Sequence, residues 1–242
     1  MKSPESYLEL LKIDVQSYPV IAVVGGVGKT SLIFRLTEEL RKLNKKVVIT
    51  TTTHMKYEPE RPFAPDGDAG LVRELLEQEG YVIAGRKDEN GKISGVSEEC
   101  LRNLRELCDV LLVEADGARN LPIKVPETWE PVIPDIADLV ISVVGLDCLG
   151  RPIRETSHRM DRTANFLRKS LDAPITPDDV VKIASSICGL FKDVEDRIYR
   201  VYLNKADVLT DPSIAEEIVE SLEEKHFVAA CGSTGVFPEG KE

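Results

Sequence analysis

The stretch YPVIAVVGGVGKTSLIFRLTEEL constrains this chain more than any other, because an apolar run, a glycine-rich bend ending in Lys-Thr and an amphipathic helix follow one another without interruption. Val20 to Val24 read as a buried strand, and Leu32, Ile33, Leu36, Leu40 and Leu43 recur at helical spacing. The bend therefore sits between a strand tip and a helix N-terminus, where first-turn N–H groups and the positive end of the helix dipole face a polyanion. In that cradle Gly25, Gly26, Val27 and Gly28 let the backbone approach phosphates, and Lys29 reaches the β/γ oxygens. Thr30 completes a Mg²⁺ shell, with Ser31 following it in the first helical turn.

A standard phosphate loop has a further glycine at the place that Val23 holds here. What remains, GGxGKT, has the spacing of MinD-like P-loop proteins, with Val24 in place of their signature lysine. Beyond the first helix, KKVVITTTTH reads as a second strand, and helices alternate with β-rich runs to the C-terminus. This is the pattern of an α/β, P-loop NTPase-like fold: a mostly parallel sheet with helices on both faces. The 242 residues fit one such domain, with residues 146–190 as a small helical insertion. YVIAGRKDENGKISGVS suggests a hairpin at the sheet edge, turning at Asn90-Gly91. NLPIKVPETWEPVIP is too proline-rich for a regular element, and a loop of that length is usually functional or poorly ordered.

A formal net charge of −11 argues against a general nucleic-acid or anionic-membrane binder, since counterion-release binding needs a basic face. No apolar run approaches the ~20 residues of a membrane span. MKSPESYLELLKIDV interleaves charge with apolar residues, as a short capping helix does and a signal peptide does not. The 5 cysteines are widely spaced with no CxxC, which points to a reducing, cytoplasmic setting.

Glu114 and Asp116 follow the apolar run Val110 to Val113, at the strand mouth where α/β sheets bind ligands. Asp116 is assigned to the metal with Thr30, Glu114 to orienting water or acting as a base, and Arg119 to charge stabilisation in the manner of a cis arginine finger. Asn204, Lys205 and Asp207 in NKAD match the NKxD guanine-recognition motif, in which the aspartate accepts from guanine N1 and N2. A helix-capping turn is the plainer alternative. AACGS, from Ala229 to Ser233, stands where GTPases place a backbone contact to the base. Thr52 and Thr53 end the second strand, where hydroxyls meet a γ-phosphate, Mg²⁺ or a second substrate, or merely reflect strand propensity. Arg151, Arg154, His158, Arg159, Arg162, Arg168 and Lys169 concentrate positive charge in an acidic chain, which suggests either a pocket for an anionic small molecule or a solvated helix face, the latter for Arg168 and Lys169.

Taken in order, GGVGKTSL, VVITTTTH, VEADGARNLPIKVP, EPVIPDIADLVISVVGLDCLG, HRMDR and LNKAD resemble the YqeC family. The resemblance runs from about Pro19 to Asp207 and is most distinctive from Glu114 to Pro126. It implies a P-loop α/β domain, a nucleotide held through Lys29 and Thr30, and an accessory role in the maturation or selenium cofactor biosynthesis of selenium-dependent molybdenum hydroxylases. It places Glu114, Asp116, Gly117, Arg119, Lys124, His158 and Arg159 around the active cleft, and Val27 departs from the family's glycine-richer loop. The expected ligands are Mg²⁺ and GTP, or ATP in its place. The expected partner is a molybdenum-selenium hydroxylase or its cofactor. Two alternatives stand beside hydrolysis: a small-molecule kinase or ATP-driven synthetase, and a nucleotide-gated adaptor for the apo-hydroxylase.

Overall fold

The computed structural model describes residues 6–89 and 91–235. A short α1 (Tyr7–Leu10) precedes β1 (Val20–Gly25), α2 (Lys29–Lys42) and β2 (Val47–Thr51). The short strands β3 (His54–Lys56) and β4 (Phe63–Pro65) lead to α3 (Ala69–Glu79), β5 (Tyr81–Lys87), β6 (Lys92–Ser94), α4 (Glu98–Arg105) and β7 (Val110–Glu114). The proline-rich segment carries only β8 (Ile123–Lys124) before β9 (Leu139–Gly145). Then follow α5 (Ile153–Thr156), β10 (Ser157–His158), α6 (Met160–Leu167), α7 (Pro177–Ser185), β11 (Ile198–Asn204), α8 (Ser213–Glu223) and β12 (Val228–Cys231).

Strands β12-β11-β9-β1-β7-β2-β5 lie side by side in that order, all parallel, as expected when both faces are covered by helices. The period of two in β1 divides the core. Val20, Ala22 and Val24 face one layer with α3, α4, α7 and α8, whereas Ile21 and Val23 face the other with α1 and α2. Residues 146–190 do not form a core of their own, because Ile153, Leu167, Val180 and Ile183 join the first of these layers. The expected edge hairpin is present as antiparallel β5 and β6, with β3 outside them; Asn90 of its turn lies outside the described residues.

Local chemistry fixes the helix ends. Thr176 and Asp179 form a reciprocal capping box at α7, with Pro177 in its first turn. Gly28, at φ 105, is the N-cap of α2, a left-handed conformation that glycine adopts without penalty. The α1 start is tied to α2, since the Tyr7 and Leu8 N–H groups donate to the Glu39 carboxylate at 2.7 and 3.0 Å.

Candidate functional site: the carboxyl edge of the sheet

Register aligns the strand tips. Thr51 of β2 pairs with Glu114 of β7, Gly25 of β1 with Val143 of β9, and Gly145 of β9 with Asn204 of β11. The glycine bend and the two acidic residues therefore share one edge, the edge at which open α/β sheets bind ligands.

The bend is closed by the chain itself. Gly25 N–H donates to both oxygens of Asp116 (2.9 and 3.1 Å), Gly26 N–H to the Val143 carbonyl (2.6 Å), and Val27 N–H to the Leu121 carbonyl (3.0 Å). Lys29, 4% exposed, donates to the Gly25 and Gly26 carbonyls at 2.8 and 3.1 Å and stands 3.2 Å from Asp116. Residues 118–122 form a strap over the bend. Leu121 N–H closes a turn on the Ala118 carbonyl at 2.9 Å, and Arg119 and Asn120 at its corner have φ 48 and 60. Such a turn suits glycine or asparagine, so the arginine makes it a strained corner. A Cβ on Gly26 would stand 1.8 Å from the Pro122 carbonyl oxygen, which is why only glycine fits beneath the strap.

The acidic pair divides differently from the sequence assignment. Thr30, placed with Asp116 by sequence, donates its hydroxyl to Glu114 at 2.6 Å. Asp116, fully buried, faces Lys29, the Gly25 N–H and Lys124 at 3.2 Å. Burial raises the Glu114 carboxyl above its ordinary range, against the pull of Lys29 and Thr30. Thr52 N–H donates to the Glu114 carbonyl at 3.1 Å and its hydroxyl to the Val132 carbonyl at 2.6 Å; Thr53 N–H donates to the Thr51 hydroxyl at 3.0 Å. These threonines lie beside Glu114, with their backbone tied.

From Asp116 a line of buried charges leads away from the bend. Lys124, with no exposed surface, bridges Asp116 and Glu130 (3.2 and 3.0 Å) and donates to the Gly117 carbonyl at 2.8 Å. Glu130 in turn accepts from Arg159 at 3.1 Å. Parallel pairing of β8 with β10 sets Lys124 opposite His158, and the left-handed Arg159 (φ 67) follows as the N-cap of α6. Burial lowers the pKa of His158, and the Lys124 and Arg159 charges lower it further, which favours the neutral imidazole. Burial works to raise the Glu130 carboxyl, but the Arg159 hydrogen bond and the Lys124 charge outweigh it and hold it at about 2. A carboxyl held below its ordinary 4.5 stabilises the fold above that pH, and the contribution disappears as pH falls from 4.5 to about 2. Urea unfolding across this window should show a Glu130→Gln variant, already less stable at pH 7, losing less stability on acidification than wild type; parallel curves would refute the assignment.

The basic cluster read between Arg151 and Lys169 is largely neutralised. Arg151 pairs with Glu155 (3.5 Å), Arg162 with Glu127 (3.4 Å), Arg154 with Asp172 and Lys169 with Asp179. Of that group, His158 and Arg159 are the ones brought toward the Asp116 line, and a buried Arg159 Nε is without a hydrogen-bond partner. Cys148 is fully buried, and burial raises its thiol far above the ordinary value.

NKAD follows β11 directly. Asn204 is wedged against the bend, for a Cβ on Gly28 would stand 2.0 Å from its Nδ2, while its Oδ1 accepts from Thr234 N–H at 3.1 Å. Lys205 pairs with Asp147 at 2.7 Å, and Asp207 is exposed. The AACGS segment lies alongside, with Ala206 N–H donating to the Gly232 carbonyl at 2.9 Å.

The family model described as YqeC protein matches residues 21–161, from β1 into α6, which includes the bend, the acidic pair and the whole buried charge line. The chain belongs to the YqeC family. The YqeC of Escherichia coli (strain K12), described as an uncharacterized protein, is 33% identical over 229 residues, covering 91% of this chain and 89% of that one. Among solved structures, HypB from Helicobacter pylori in complex with nickel is similar at 13% identity and a TM-score of 0.39, over 94% of this chain and 81% of that one. In this YqeC-family chain two acidic residues of the site escape sequence reading. Asp147 follows β9 just as Glu114 ends β7, so position at a strand mouth would have marked it; Glu130, in a proline-rich loop, carries no such signal.

Proposed function

We propose that the protein binds a Mg²⁺-complexed nucleoside triphosphate, preferentially GTP, along the carboxyl ends of β7, β1, β9 and β11, and hydrolyses it to assist maturation or cofactor biosynthesis of selenium-dependent molybdenum hydroxylases. The observation that supports this most is the convergence of three groups on one bend: the GGVGKT backbone, the Thr30–Glu114 pair at 2.6 Å and Asn204 against Gly28. The N–H groups of Val27 and Gly28 and the Lys29 ammonium would hold the β- and γ-phosphates, over Gly25 and Gly26 whose N–H groups are bonded to Asp116 and Val143, with Ser31 at the helix start. Thr30 with Glu114 or Asp116 supplies the hard oxygen donors that suit Mg²⁺, which when bound neutralises phosphate charge. Arg119 would add positive charge from the strap, Glu114 would orient water, and Thr52 and Thr53 would face the γ-phosphate side. Asn204, Lys205 and Asp207 would receive guanine.

Calorimetric titration of GTP, ATP and CTP with Mg²⁺ tests the base, followed by phosphate release with and without selenide or molybdenum cofactor. Asp207→Asn should weaken GTP at least tenfold and improve xanthosine triphosphate relative to it, because an amide donor suits the xanthine oxygen. Equal binding of ATP and GTP by wild type, or an unchanged preference in the variant, refutes guanine recognition.

A second reading, phosphoryl transfer to an anionic acceptor at Lys124, His158 and Arg159, is favoured by the unpartnered Arg159 Nε. Turnover that needs an added small anion would select it. Slow hydrolysis with nucleotide-dependent capture of a hydroxylase would select an adaptor.

A further inference from the structure

Between the tip of β1, which carries the bend, and the tip of β11, which carries NKAD, lies the tip of β9. Neighbouring strands are about 4.8 Å apart, so a ligand with phosphates on the first and a base on the third crosses roughly 10 Å and passes over the second. The residue there is Asp147, in the short turn Leu146–Cys148. Its Oδ2 is paired with Lys205 at 2.7 Å, while its Oδ1 is buried without a hydrogen-bond partner. Buried acceptors in native proteins are rarely left so, and one beside a binding edge calls for a donor.

The surroundings of that oxygen say when it would find one. The point where a Cβ on Gly145 would stand is 2.6 Å from Asp147 Oδ1, 3.0 Å from Val27 Cγ1 and 3.1 Å from Pro122 Cβ. Asp147 Oδ1, a residue of the bend and a residue of the strap thus all approach the same point above Gly145. The same strap puts the Leu121 carbonyl on the Val27 N–H, a donor that a phosphate oxygen would take. A ligand that displaces the strap to reach this N–H would uncover Asp147 in the same movement. Among the described residues, Thr50 Oγ1 is a further buried oxygen without a hydrogen-bond partner, and it lies within β2 rather than between the bend and NKAD.

We propose that Asp147 is the sugar reader of the nucleotide site: with the strap displaced, its Oδ1 accepts a hydrogen bond from a ribose hydroxyl, while Lys205 keeps the other oxygen neutralised. This rests on the nucleotide reading above and adds to it a selectivity for ribonucleotides over deoxyribonucleotides that does not depend on the identity of the base.

The test is calorimetric titration of the full-length protein with GTP, 2′-deoxyGTP and 3′-deoxyGTP in Mg²⁺, then of Asp147→Ala with the same ligands. Wild type should bind one of the two deoxy forms about tenfold more weakly than GTP, equivalent to about 1.4 kcal/mol. In Asp147→Ala that ratio should collapse to within about twofold, whatever happens to affinity overall; a merely structural role for the Asp147–Lys205 pair would weaken all three ligands together and leave the ratio intact. A wild-type protein that binds all three ligands equally overturns the inference without recourse to any variant. So does discrimination that survives in Asp147→Ala. If wild type binds no nucleoside triphosphate at all, the nucleotide reading itself falls and this inference with it.

Discussion

Replacing Lys124 by Met is expected to lower the free energy of unfolding by about 3–5 kcal/mol, the range for removing one partner from a buried ion pair. The methionine fills the space of the stem but leaves Asp116 and Glu130 facing each other without the ammonium that now stands 3.2 and 3.0 Å from them. Lys29 and Arg159 remain on the outer sides of the two carboxylates, which is why a partly folded outcome is not expected. For a chain of this size the melting temperature should fall by roughly 6–20 °C. Urea unfolding with an unchanged slope and a loss below about 1 kcal/mol would show that Lys124 is not the keystone of this line.

Lys29→Ala should weaken triphosphate binding by about tenfold or more, in line with lost charge-assisted hydrogen bonds of ~1.5–3 kcal/mol. Sequence alone assigns this ammonium no duty other than holding phosphate. The structure gives it one, since the same Nζ satisfies the Gly25 and Gly26 carbonyls and pairs with Asp116. The variant should therefore also be less stable, and its titration belongs well below its own unfolding temperature. Unchanged affinity in a folded variant would remove the phosphate-binding assignment from the bend.

The contrast between what was legible and what was not follows the range of the interactions. The strand–bend–helix unit from Val20 to Leu43 declares itself because period two, a glycine pair and period 3.6 are all local signals. The edge hairpin is legible for the same reason. The pairing of Ile123–Lys124 with Ser157–His158 is not, for two residues on each side are too few to show a period, and 34 positions of chain separate the register partners Lys124 and His158. The resemblance places Lys124 by the cleft, but nothing near it in sequence announces its burial between Asp116 and Glu130. That Thr30 reaches Glu114 while Lys29 reaches Asp116 is likewise a matter of tertiary geometry. Arg119 illustrates a third kind of limit: an arginine at a left-handed corner contradicts local preference, and such contradictions become visible only in coordinates.

On the proposed nucleotide reading, the strap would make the chain an internal competitor of its ligand. The Leu121 carbonyl is tethered beside the Val27 N–H, so its local concentration does not change with dilution, whereas that of a nucleotide does. The observed dissociation constant would then equal the intrinsic one divided by the fraction of molecules whose strap is open. A strap open in about one molecule in a hundred would raise it about a hundredfold. Occupancy would thereby be set by a threshold that the protein carries within itself, and any partner that lifts residues 118–122 would lower that threshold without touching the nucleotide.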